Sequence, residues 1–577
     1  LVIEDGPEEI CIQRLKDLLV RGTGRSHDLE MENVLHARED YKGLIQEHYL
    51  IESEDSLHHL WTVADGTGSL YLLSDAGSTE LLRVLEGHLS NYSADGSEDR
   101  LVYQPLGQGT VIEPGSDGFF SGIGSIKILR EGGDLRIKME KKSSQVHLIY
   151  HTEPRPYDIS PYIMSRLNLL GFDGVPRLSG ISYWKDRSNP VIWSRLLEYG
   201  EEPKTAFGPF LSDLSDILDR YIRTNDLKKP LFLLHLSRDM DRPSFESAFQ
   251  LGVSLSEAQV YLSSGDDGKT VREDGSLGNR IMANFIPGSF DMSHLGTLLG
   301  LSSSYLKEVK RAIYRLSRGD NPIPQDRYSN SLAGKRPSKG RKNEAMIRKM
   351  RFYYNNMAAR EVSIQAGFKE LKGLIGGPVI TGCMDCRLER VSRYSENWFL
   401  FENLDWYLHH DEDISPVKLP PLKDISMVLN SFMKARYLSS KRVFRTRARS
   451  MRTEPELLDI MYMEYNVSRK NYASMARDVG SQMRLNPRTP LRLVFDVSVL
   501  TTLWYERCFN SLIEGYNRGI ELFSGDYLSA YPETTDTSRS ISLMQILLSL
   551  SNMSRMFDEG SESTAGLELD LLNVLIR

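Results

Sequence analysis

The sequence predicts an α+β chain whose strand-rich first third precedes a long helical remainder. Two observations carry this. Between Phe119 and about Gly200, several strand-like segments surround one helical segment; from Pro209 onward most segments carry helical spacing. In chain order, Ile12, Leu15, Leu18 and Leu19 repeat at helical spacing until Gly22 and Gly24 break the run, so the first forty or so residues are expected to be helical. Leu60-Trp61-Thr62-Val63 and Leu70-Tyr71-Leu72-Leu73 flank the turn Asp65-Gly66-Thr67-Gly68 and predict a β-hairpin. Leu101 to Tyr103, Thr110 to Ile112, Ile126 to Leu129, Leu135 to Met139, Val146 to Tyr150 and Val191 to Leu197 read as strands, and Tyr162 to Leu170 as a helix. Phe210 to Arg223, Phe249 to Ser263 and Tyr305 to Leu316 read as helices.

The chain has 577 residues, room for about four domain-sized units or fewer large ones. Lys and Arg number 71 against 78 Asp and Glu, a formal net charge of −7, which argues against a global nucleic-acid binder. With 40% hydrophobic residues, the composition is that of a globular chain and not of a disordered or coiled-coil one. The four cysteines cannot form a dense disulfide framework, so a reducing cytoplasm is the default expectation. No apolar run approaches the roughly 20 residues that span a bilayer, and the first residues lack the pattern of a signal peptide. No membrane partner is expected.

A polar stretch from Arg318 to Lys342 turns basic at Lys335, Arg336, Lys339, Arg341 and Lys342, and reads as a solvated insertion. A second basic run spans Lys441, Arg442, Arg445, Arg447, Arg449 and Arg452. Solvent-facing charge is the simple reading of both runs. RNA binding is the weaker one, because aromatic residues are not interleaved with them.

The chemistry concentrates between Ile380 and Phe432. Cys383-Met384-Asp385-Cys386 precedes a strand, Trp398 to Phe401, that ends in Glu402. Acids on two successive loops suit phosphoryl transfer, where one carboxylate orients the attacking hydroxyl and another holds Mg²⁺ against the phosphates. The same acids also read as ordinary loop residues. Cys383 and Cys386 read as unligated thiols, with a zinc set completed by His409 and His410, or a redox disulfide, as the alternatives.

On these residues the segment from Asp385 to Asp405 resembles the catalytic segment of the maltokinases, within the aminoglycoside-phosphotransferase-like, protein-kinase-like group. Asp385 matches the catalytic Asp, Leu388, Val391 and Trp398 match their counterparts, and Glu402 stands where the family has its metal-binding Asp. Pro421-Leu422-Lys423-Asp424-Ile425 resembles the family's Ser-Pro-Leu-Arg-Asp-Val segment, with Asp424 read as holding the catalytic loop or capping the next helix. Leu135 to Lys142 resembles the strand with the ATP-phosphate lysine, which puts Lys138 in that role, although on its own Lys138 also reads as a solvated lysine. Gly122-Ile123-Gly124-Ser125 lies where the family covers the phosphates.

The resemblance implies a bilobal kinase-like fold: an N-terminal cap over 1–115, a small β-rich lobe over 116–200, and a large helical lobe over 201–577 with the basic insertion near 318–345. It implies ATP and Mg²⁺ as cofactors, and transfer of the γ-phosphate to a hydroxyl of maltose or a related glucoside. The chain departs from the family pattern at several places. Arg390 replaces a metal-binding Gln, Gln259 a helix His, and Leu569 and Asn573 replace sugar-contacting residues. Either specificity has changed, with Arg390 meeting phosphate, or activity is lost and the chain is a pseudokinase. A pseudokinase would bind or scaffold, with an enzyme of trehalose or glycogen metabolism as its expected partner.

Overall fold

The computed structural model describes residues 2–575 except 5–16, 19–30, 91–100, 106–122, 264–287, 319–338, 405–417, 448–489, 524–534, 559–567 and shorter breaks between elements. The chain forms two compact units: Leu1–Pro203 with Asp266–Met282, and Lys204–Gly265 with Ala283–Arg577.

The first unit is built on two sheets. The first runs β1 (Val2–Glu4), β2 (Met31–Tyr41), β3 (Leu44–Ser53), β4 (Ser56–Ala64) and β5 (Leu70–Leu72) in sequence order. Helix α1 (Ser78–Ser90) follows. The second sheet takes the order β6-β10-β11-β9-β8-β7, from β6 (Leu101–Pro105), β7 (Ser125–Glu131), β8 (Asp134–Glu140), β9 (Gln145–His151), β10 (Arg177–Trp184) and β11 (Val191–Tyr199), all antiparallel. Helix α2 (Ser160–Leu169) lies between β9 and β10 in the chain. Gly171, at φ +82°, ends that helix in the left-handed conformation, where glycine carries no Cβ penalty, and the Phe172 N–H returns to the Leu167 carbonyl at 2.9 Å.

The alternation in β8 buries Leu135, Ile137 and Met139. These join Leu50, Trp61, Val63 and α1's Val84 and Leu85 in one hydrophobic core, so the two sheets share an interior. The hairpin expected at Leu60 to Leu73 is β4–β5, and the other strand segments read from sequence fall on β6, β7, β8, β9 and β11. Thr110 to Ile112 lies outside the described residues. The helix expected over the first forty residues is corrected at both ends: Val2–Glu4 and Met31–Tyr41 are strands, the latter paired along its length with Leu44–Ser53. Cross-strand pairing fixes it, and Val34 and Leu35 bury on opposite faces.

This core contains imidazoles. His48, His59 and His88 surround Trp61 and Trp193, with the His59 ring stacked on Trp193 at 4.3 Å. Both His59 ring nitrogens lack a hydrogen-bond partner among the described residues. Burial, and then His48 and His88, hold the His59 pKa well below its ordinary value. His147 is pulled down to about 3 by burial, Arg136 and Lys138. The unfolded chain therefore binds more protons than the folded one below about pH 6.5, and stability falls as pH drops through that range. Between pH 7 and pH 5 we expect up to about 2 kcal/mol lost per such histidine, read as a falling urea midpoint. His59→Leu should flatten the dependence; an unchanged midpoint would refute it.

The second unit is mainly helical. Its helices are α3 (Phe207–Arg223), α4 (Lys229–Arg238), α5 (Pro243–Ser263), α6 (Met292–Arg318), α7 (Lys339–Leu374), α8 (Leu422–Arg447), α9 (Pro490–Phe523) and α10 (Thr535–Asp558). Helix α8 runs through the centre, buried on nearly every side and packed on α3, α9 and α10. Helices α5 and α9 approach so closely that a Cβ on Gly252 would stand 2.2 Å from the Leu512 carbonyl oxygen. A Cβ on Gly515 would stand 1.9 Å from that of Phe249. Of the stretch Arg318 to Lys342, read as a solvated insertion, Arg318 closes α6 and Lys339 opens α7. Regular i→i−4 bonding carries Lys339, Arg341 and Lys342 on α7, while residues 319–338 lie outside the described residues. Among the described residues no helix is long and apolar enough to cross a membrane.

Candidate active site

Two short sheets frame the second unit's loops. One contains β12 (Lys204–Thr205), β15 (Val391–Ser395) and β16 (Trp398–Phe401); the other contains β13 (Gly288–Ser289), β14 (Pro378–Thr381) and β17 (Lys418–Leu419). Asp385 lies on the loop between β14 and β15, and Glu402 directly follows β16. The Asp385 N–H donates to the Asn403 carbonyl at 2.9 Å, so the two acids stand on joined loops. The loop closes as a turn, with the Arg390 and Val391 N–H groups both donating to the Arg387 carbonyl at 2.7 and 2.9 Å. The start of α3 holds it from outside: the Phe207 N–H reaches the Leu388 carbonyl at 3.1 Å and the Ala206 N–H that of Val391 at 2.9 Å.

Asp385 is 6% exposed, and Arg387 grips it with two prongs. Arg387 Nε donates to Oδ1 at 2.7 Å and Nη2 donates to Oδ2. Burial alone would raise the Asp385 pKa; Arg387, with help from Arg390, overcomes it and holds the carboxyl at about 2. Glu402, 7% exposed, accepts a hydrogen bond from the Ser392 hydroxyl at 2.5 Å across the β15–β16 hairpin.

Beneath the loop, Lys423 on the first turn of α8 donates to the Met384 carbonyl and to Asp424 Oδ1, the latter at 2.7 Å. Gln259 of α5 donates to Asp424 Oδ2 at 2.7 Å and to the Pro421 carbonyl at 3.0 Å, and the Tyr516 hydroxyl of α9 donates to Gln259 at 2.6 Å. Asp424 thus does hold the loop, through Lys423. Gln259, where the resembled family has His, is the link to α9. Cys386 is a free, buried thiol whose pKa is pushed well up by burial and by Asp424. Cys383, His409 and His410 lie outside the described residues.

Lys138, Gly124 and Ser125 belong to the first unit, and Gly122 lies outside the described residues. Lys138 sits on β8 opposite Lys127 of β7 and His147 of β9. Arg136, two residues away on the same strand, shares its face, so three cations line one side of the sheet. The Gly124 N–H is engaged by the Glu140 carbonyl at 2.8 Å, and the Ser125 hydroxyl by the Glu140 carboxylate at 2.5 Å. The Ser125 hydroxyl and Lys127 lower the Glu140 pKa.

The structure brings Asp385, Arg390 and Glu402 together in one unit, and Gly124, Ser125 and Lys138 together in the other. Sequence reasoning missed Arg387, whose only signal was its place two residues after an acid. Among the described residues no group of three His, Cys, Asp or Glu side chains is arranged to hold a metal. A magnesium ion that arrives with a nucleotide keeps several waters and phosphate oxygens and takes one or two protein carboxylates. Glu402 offers one such carboxylate, one oxygen of which accepts from the Ser392 hydroxyl.

No protein-family model matches the chain, and no curated protein matches it. Among solved structures, glucosamine kinase in complex with glucosamine, ADP and inorganic phosphate is similar at a TM-score of 0.51 and 11% identity, over 97% of this chain and 95% of that one. A second glucosamine kinase structure, crystal form A, gives 0.50 at 12% identity over 97% and 94%. The chain has a kinase-like fold, shared with these proteins over nearly its whole length.

Proposed function

We propose that the chain is an ATP-dependent phosphotransferase that phosphorylates a sugar hydroxyl. The observation that supports it most is the bond from the Asp385 N–H to the Asn403 carbonyl, which seats a buried carboxylate beside the loop of Glu402. Asp385 orients the acceptor hydroxyl toward the γ-phosphorus. The new bond forms between that oxygen and phosphorus, the bond to the bridging oxygen breaks, and ADP leaves with its electron pair. The hydroxyl proton passes to Asp385 and then to solvent. With its pKa near 2, Asp385 is a weak proton acceptor, so its main work is orientation, which suits a loose phosphoryl-transfer transition state.

Lys138 would neutralise nucleotide phosphates, with Gly124 and Ser125 beside them, and Arg390 would meet the transferring charge; Gly122, read with that turn, lies outside the described residues. Glu402 is the residue that would hold Mg²⁺, and the ion would supply neutralisation of the phosphate oxygens. The acceptor is a maltose-like glucoside or a related sugar, and glucosamine joins the candidates because the similar kinase was solved with it. Acceptor-dependent ADP release, with Mg²⁺ and a sugar panel that includes maltose and glucosamine, tests the reading. No release above the ATP-only rate with any sugar would overturn it.

The second reading is a pseudokinase that binds or scaffolds beside a trehalose- or glycogen-metabolising enzyme. It is favoured by the two-pronged hold of Arg387 on Asp385. It expects a thermal shift with ATP and no turnover.

A further inference from the structure

A second set of charges stands beside the loop of Asp385 and takes no part in the chemistry above. Lys434 of α8, 8% exposed, places its ammonium 3.1 Å from Glu389 Oε1 and 2.5 Å from Glu568 Oε1. Glu568 is equally buried and belongs to the C-terminal segment, whose Leu571 and Leu572 are also in the core. One turn earlier on α8, the Ser431 hydroxyl donates to Glu389 Oε2 at 2.6 Å and accepts the Leu388 N–H at 3.0 Å. The helix therefore grips both the main chain and a side chain of the loop, and Lys434 ties that grip to the segment of Glu568.

Arg387 lies between this cluster and Asp385. Burial opposes its charge, while Asp385, Glu389 and Glu568 all favour it and raise its pKa. Charge thus alternates from the C-terminal segment to the reacting loop: Glu568, Lys434, Glu389, Arg387, Asp385. A buried cation shared by two carboxylates is a poor way to add stability, since apolar side chains of similar volume commonly do as well. Its geometry has another use, because it fixes two adjoining loop residues, Leu388 and Glu389, against a central helix.

We propose that Glu568 is a positioning residue: through Lys434 and Glu389, the C-terminal segment fixes where the loop 385–391 stands. The kinetic consequence rests on the phosphotransferase reading; the structural one does not. The test uses the full chain with Glu568→Gln and Glu568→Asp. In the Gln variant, amide hydrogen exchange over 385–391 should quicken roughly tenfold, with α5 and α9 unchanged. The kcat for ADP release should fall about ten- to a hundredfold with KM for ATP unchanged, the cost of a misplaced reacting group. The Asp variant should recover most of both.

Wild-type exchange over the loop in the Gln variant would overturn the proposal, and so would uniform quickening throughout the second unit. If Gln at 568 prevents folding, Glu389→Gln cuts the same bridge from the loop side and is read identically. Should the wild type turn over no sugar, the phosphotransferase reading falls, and the exchange measurement still decides this one.

Discussion

Replacing Asp385 by Asn should lower acceptor-dependent ADP release by about a hundredfold or more, the scale on which losing the orientation of a reacting group costs rate. The substitution keeps the shape of the side chain and removes its charge. The loop contact that places it, from the Asp385 N–H to the Asn403 carbonyl, is made by main chain and survives. What is lost is a carboxylate held ionised in a buried place by Arg387. An amide presents one acceptor oxygen where the carboxylate presents two, and it leaves the Arg387 guanidinium poorly matched. The KM for ATP should change little, because Asp385 acts on the acceptor. A variant with more than half the wild-type rate would remove Asp385 from the reaction and end the phosphotransferase reading as built here.

The second large effect is on stability. Lys423→Met should destabilise the chain by about 3–5 kcal/mol, the range for breaking a buried ion pair by removing one partner. Lys423 and Asp424 are 1% and 2% exposed, so the remaining carboxylate is cut off from water and keeps only neutral partners in this cluster, the Gln259 amide and the Cys386 thiol. The Met384 carbonyl loses its Lys423 donor as well. The double variant Lys423→Met/Asp424→Leu should recover much of that loss, because no isolated charge is left behind. Urea unfolding of the three proteins measures this. A cost below about 1 kcal/mol for the single variant would show that the pair is not a fixed part of the loop's support.

The second sheet's strands were legible where alternation was clean, as in β8. Leu135, Ile137 and Met139 bury on one face with Arg136 and Lys138 between them, and the strand was readable from those five residues. Strands β2 and β3 were not read, and the reason is visible in the core. His36 of β2 and Gln46, Glu47 and His48 of β3 are buried, so positions that read as solvent-facing polar residues point inward. The Gln46 amide donates to a distant carbonyl, that of Val84, and accepts from the Trp61 indole. A pattern that depends on apolar meaning buried cannot register such strands.

The candidate site divides in the same way. Asp385 and Glu402 were readable because a short hairpin joins them, and a hairpin is a local feature. Arg387 was hidden by its role, since a loop arginine has no periodicity to betray a buried ion pair. Lys434 and Glu568 come from a helix and the chain's end, and only the fold brings them to Glu389.

The near contact of α5 and α9 has a consequence for the loop above them. With main chain against main chain at Gly252 and Gly515, the reach of Tyr516 to Gln259 is set by the helices themselves and not by side-chain give. Tyr516 immediately follows Gly515, and the linkage continues through Gln259, Asp424 and Lys423 to the Met384 carbonyl. A single added methyl at 515 would act as a wedge at the fulcrum of a lever, and its far end is the residue before Asp385.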